Sequence, residues 1–90
     1  MSMTSRQLNI ARAMLEVLDQ TAEYMMPETA LRPQVNLQLR PLAMQFEFEQ
    51  VLVYLESQKL IYCPNPEEPA CRRWHITDMG KLKLQEWTGA

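Results

Sequence analysis

Between residues 5 and 24 the apolar side chains recur at steps of three and four, so that Leu8, Ala11, Leu15, Leu18 and Ala22 share one helical face. A second line, Ile10, Met14 and Val17, runs beside the first. Two lines make a broad apolar face, and two arrangements satisfy it. Either the core of the domain covers both, or Ile10, Met14 and Val17 face a second copy of the chain as a homodimer. Thr4 followed by Gln7 has the form of a capping box that starts this helix, the hydroxyl and the amide each serving an exposed backbone N–H.

A chain of 90 residues suits one domain, spanning residues 1–90, because two domains of half that size would each lack a self-sufficient core. Tyr24-Met25-Met26-Pro27 reads as a brief edge strand ending at a proline. A second helix is expected from about Thr29 to Leu39, with Leu31, Val35 and Leu39 at spacings of four. Pro33 is comfortable only in a first turn, so this helix starts late or irregularly, and the alternation of Val35, Leu37 and Leu39 leaves a strand open. Arg40-Pro41 breaks whatever precedes it.

The third helix, residues 45–58, carries the stripe Phe48, Val51, Leu52 and Leu55, with Phe46 packing at its start and Glu47 and Glu49 favoured by the helix dipole. Leu60 to Cys63 and Arg73 to Ile76 read as two strands of a hairpin around the proline-rich segment 64–69. Trp74 and Ile76 share one face of the second strand, Arg73 and His75 the other. Thr77 caps a last helix, Asp78 to about Trp87, which is expected to carry Met79 and Leu82 inward. Leu15, Leu18, Phe48, Leu52, Leu55, Ile61, Trp74 and Ile76 are the expected core.

Two stretches resemble the winged helix-turn-helix family of bacterial and phage regulators. Tyr54-Leu55-Glu56-Ser57-Gln58-Lys59-Leu60-Ile61-Tyr62 is similar to the end of its third helix and the first wing strand. Trp74-His75-Ile76-Thr77-Asp78-Met79-Gly80-Lys81 is similar to the end of the wing, where an aliphatic residue, Thr, an acidic or polar residue and Gly open the last helix. The resemblance covers residues 5–87 and implies an α+β, mainly α fold: a three-helix core, a β-hairpin wing and a short C-terminal helix. The family commonly has Gly where this chain has Lys59, at a point where the backbone often turns left-handed. Lys tolerates that conformation less well, which puts the geometry of the turn in question.

In DNA-binding members the third helix enters the major groove and the wing touches the backbone beside it. Carried onto this chain, the resemblance implies that Gln45, Glu49, Gln50, Val53 and Ser57 face the bases, with Arg32, Arg40, Arg72, Arg73 and His75 against phosphates. The charge argues otherwise. The chain has a formal charge of −2, residues 28–73 hold five basic side chains against six acidic, and the third helix has no Lys or Arg before Lys59. For each basic residue, scattered solvated charge is as good a reading as a phosphate contact.

Other chemistries find less support. Cys63, Cys71 and His75 suggest zinc, but a structural site takes four ligands, the usual Cys-x-x-Cys spacing is absent, and idle thiols are expected. A Cys63–Cys71 disulfide across the base of the wing is geometrically open, but a reducing compartment disfavours it. With one His and two Gly, neither a catalytic constellation nor a phosphate loop emerges, so no catalysis and no cofactor are expected. The chain has no apolar run near the roughly 20 residues that span a bilayer and opens without a secretory segment, so a cytoplasmic setting off the membrane is expected. Two roles follow: a DNA-binding regulator or accessory factor acting on double-stranded DNA, ranked slightly ahead by the resemblance, or a protein-interaction module using the acidic third helix.

Overall fold

Thr4 starts the first helix as its spacing to Gln7 predicts. In the computed structural model its hydroxyl accepts from the Gln7 N–H at 3.1 Å, and the Gln7 Oε1 accepts from the Thr4 N–H at 3.0 Å. The structure describes residues 3–21, 25–39, 41–64, 67 and 72–89. Its elements are α1 (Ser5–Gln20), β1 (Met26–Pro27), α2 (Glu28–Asn36), α3 (Gln45–Ser57), β2 (Ile61–Tyr62), β3 (Arg73–Ile76) and α4 (Asp78–Thr88). The chain is mainly helical, with a small antiparallel sheet in the order β1-β3-β2. Among the described residues no helix is long and apolar enough to cross a membrane.

Helix α1 is central. It packs against α2, α3, α4 and β3, so most of its circumference is covered by its own chain. Ile10, Met14 and Val17 are therefore buried in the core alongside Ala11, Leu15 and Leu18, so of the two arrangements the core covers both lines and the one with these residues facing a second copy is corrected. The helix also ends at Gln20 with Thr21 as its C-cap, and the expected continuation over residues 22–24 lies outside the described residues.

The strand expected before Pro27 is present and pairs at the edge, Met26 with Trp74 and Pro27 with Arg73. Helix α2 follows at once and accommodates Pro33 in its interior, where proline has no N–H to donate to the carbonyl four residues back. Its end is short of the expected Leu39, and Leu37 lies exposed in the turn beyond. Two side chains clasp the connection to α3. Asn36 Oδ1 accepts from the Ala43 N–H at 2.9 Å, and Arg32 Nε donates to the Ala43 carbonyl at 3.4 Å.

Helix α3 buries Phe48, Val51, Leu52 and Leu55, the stripe its sequence shows. Phe46 does not pack at its start but stands outward, 57% exposed. Beyond the Gln58 C-cap, Lys59 stands at φ 60°, so the left-handed turn forms without the glycine at a cost of about 1–2 kcal/mol. The Lys59 and Leu60 N–H groups then donate back to Glu56 and Leu55 at 2.9 and 3.0 Å.

Strands β2 and β3 pair Ile61 with Ile76 and Tyr62 with His75. Trp74 and Ile76 point into the core, and all eight expected core residues join one cluster. Thr77 caps α4, accepting from the Gly80 N–H at 3.0 Å, while its own N–H donates to the Leu60 carbonyl at 3.0 Å. Its hydroxyl proton reaches the Lys59 and Leu60 carbonyls at 2.8 and 3.0 Å. Gly80 sits so close to this junction that a Cβ there would run into the Leu60 carbonyl oxygen and lie 2.7 Å from Ile76 Cγ1. The inward face of α4 is therefore Gly80, Leu84 and the half-buried Trp87. Met79 and Leu82, expected inward, are exposed instead, because the close approach at Gly80 sets the rotation of the helix.

Substituting Gly80→Ala tests this junction. Alanine in place of glycine normally stabilises a helix by about 1 kcal/mol. Here overpacking against a backbone carbonyl should outweigh that gain, towards the upper end of about 1–3 kcal/mol, because the Thr77 cap must shift with it. Urea melts should show a lower midpoint than wild type; an unchanged or higher midpoint would mean that α4 does not approach Leu60 this closely.

Candidate binding surface

One side of α3 faces away from the core, and it is where most of the residues proposed to meet bases come together. Gln45, Glu49, Gln50, Val53 and Ser57 are all exposed. Val53, 65% exposed, and Phe46 are the large apolar groups on this side, and Leu42 and Met44 stand exposed just before the helix. Met3 before α1 and Gln7 in its first turn, together with Phe46, Val53 and Tyr54, line an open groove of about 630 Å³ along α3.

Of the described basic residues expected to contact phosphates, Arg32 and Arg72 are engaged within the fold. Arg32 Nη1 donates to Gln45 Oε1 at 3.0 Å, and Gln45 Nε2 donates on to Glu49 Oε1 at 2.7 Å. Its fork is thus directed along the connection to α3. Arg72 pairs with Glu28, Nη2 to Oε2 at 2.9 Å, and the second oxygen of the same carboxylate accepts from Trp74 Nε1 at 2.8 Å. Glu28 therefore joins the start of α2 to the central strand and neutralises the arginine nearest it. His75 is half-buried, its ring edge-to-face with Tyr62 at 5.4 Å between centroids, and its Nδ1 is buried without a hydrogen-bond partner. Arg73 is exposed on the outer side of β3. Arg40 and Cys71 lie outside the described residues.

A further arginine, which the sequence reading did not single out, organises the start of α3. Arg6 reaches from α1 to Glu47 through Nε at 3.1 Å and Nη2 at 3.3 Å. The same guanidinium donates to the carbonyls of Pro41 and Leu42 at 2.8 and 2.9 Å. Glu47 in turn accepts from the Met44 N–H at 3.0 Å, closing the first turn of α3. The Arg6 hydrogen bonds and the Met44 N–H hold the Glu47 carboxyl below the ordinary glutamate range. Of this arrangement only Glu47 had a local signal, its place in the first turn. Arg6 lies 41 residues away, and nothing in its neighbourhood marks it.

The lowered value fixes the sign of a pH effect. A carboxyl with a depressed folded pKa stabilises the fold above its unfolded pKa, and the contribution disappears as the pH falls through the folded value. Glu47→Gln should therefore lower the thermal midpoint at neutral pH, and the gap to wild type should close as the solution is made acid. Parallel midpoints across the same titration would show that Arg6 and Glu47 do not interact in solution. No family model, no curated protein and no solved structure matches this chain.

Proposed function

We propose that the chain is a winged-helix domain that binds another protein through the outward side of α3, without chemistry of its own. The winged-helix reading is supported by the order α1-β1-α2-α3-β2-β3-α4 and by the antiparallel hairpin that follows α3. In that reading α3 takes the place of the recognition helix and β2–β3 that of the wing. The observation that carries the binding proposal is the makeup of α3: it exposes Phe46 and Val53 beside Glu49 and Glu56, and residues 45–57 include no Lys or Arg.

Duplex DNA carries one negative charge per about 1.7 Å of axis and is bound largely by neutralising it. A helix bearing Glu49 and Glu56 works against that, and Arg32 and Arg72 already hold partners within the fold. Exposed large apolar groups gain instead from contact with an apolar surface. The position of Arg73, outward on the strand that takes the place of the wing, is what favours the second reading, contact with double-stranded DNA.

A photoreactive side chain placed at Gln50, with Gln85 on α4 as the control position, separates the two. Illumination in extracts of the source cells should give a discrete, nuclease-resistant protein adduct from the Gln50 position alone, and Phe46→Ser should abolish it. Nuclease-sensitive adducts, together with retardation of mixed-sequence duplex by the wild type at low salt, would replace this reading with DNA binding. The same adduct from both positions would remove α3 as the contact surface.

A further inference from the structure

Resting on the protein-binding reading, we infer that the groove beside α3 accepts an amphipathic helix with an apolar stripe flanked by lysine or arginine. The side chains of α3 set the terms. Phe46, Gln50, Val53 and Ser57 follow one another at steps of four, three and four, so they form one line along the helix, about 16 Å long. On one side of that line stand Met3, Gln7 and Tyr54, the wall of the groove. On the other stand Glu49 and Glu56, one heptad apart and about 10 Å from each other along the axis. The surface thus carries apolar Met3, Phe46, Val53 and Tyr54 interspersed with the uncharged polar Gln7, Gln50 and Ser57, and is acidic along a single rim.

No ion pair among the described residues holds Glu49 or Glu56, and only one oxygen of Glu49 is engaged, by Gln45. Both carboxylates therefore remain available to a cation. Charge complementarity selects a basic flank on the occupant, while an acidic flank would set like charges together as Phe46 and Val53 lose water. The backbone selects its secondary structure. The groove runs along α1 and α3, and helices present no strand edge, so an extended peptide would find no ladder with which to pair. A helix needs no such edge, and its side chains at i, i+4 and i+7 match a line about three turns long.

Two capped synthetic peptides of about fourteen residues test this. Both carry leucines at helical steps of three and four; one has two lysines a heptad apart along the flank, and its twin has glutamates in their place. Amide NMR spectra of the isotope-labelled full chain should shift at Gln7, Phe46, Glu49 and Val53 with the lysine peptide, at an affinity about tenfold above its twin at low salt. The double variant Glu49→Lys, Glu56→Lys should reverse that order, and its dispersed spectrum would confirm that it remains folded. Equal binding of both peptides in the groove would overturn the charge selection while leaving α3 as a docking face. Binding of neither peptide, or shifts confined to another surface, would overturn the helix-in-groove inference. The Gln50 adduct would still decide independently whether α3 meets a protein.

Discussion

The Leu60 carbonyl receives the backbone N–H and the hydroxyl of Thr77 and leaves no room for a side chain at Gly80. Three elements are set by that one oxygen. It follows directly on the left-handed turn that ends α3, it precedes β2, and it fixes where α4 begins after β3. A carbonyl accepting two hydrogen bonds within a close backbone contact has little freedom to shift without breaking the cap of the next helix. The rotation of α4, and hence the choice of Leu84 over Met79 and Leu82 for the core, follows from it.

What was legible in the sequence was local or periodic. The Thr4–Gln7 and Thr77–Gly80 caps span three residues, and the stripe of α3 repeats along one element, so both are written where they act. What stayed open or was misread has a different origin. Ile10, Met14 and Val17 fit the core and a second copy equally well, because periodicity reports which residues align and not how many neighbours surround the helix. Met79 and Leu82 looked like core on hydrophobicity, whereas the face of α4 is chosen by a glycine that has none.

The charges show the same limit at the candidate site. Arg72 read as a wing cation, yet its carboxylate partner lies 44 residues earlier, at the first position of α2. Arg6 and Glu47 join the first helix to the third over a similar separation. Such pairs leave no mark in either neighbourhood, so a tally of basic and acidic residues reports the net charge and not which cations are left for a ligand. The exposed side of α3 was easier to foresee, since the residues opposite a buried stripe must face outward. Of its apolar content, Val53 falls on the outward side that the resemblance implies, whereas Phe46 is not among the residues it places there, because its place beside the first turn suggests packing at the helix start.

The sheet has a bearing on assembly. Its outer strands, β1 and β2, are two residues long, and β1 ends in Pro27, which has no N–H to offer. Long unpaired strand edges are the usual templates for indiscriminate joining of chains, and natural sheets blunt them by shortness and by proline. Here the sheet ties α1, α2 and α3 together but offers little border to extend. A protein whose exposed Phe46 and Val53 invite contact can in this way keep attraction on a helix, where side chains select the partner, and away from strand edges, where almost any backbone would serve.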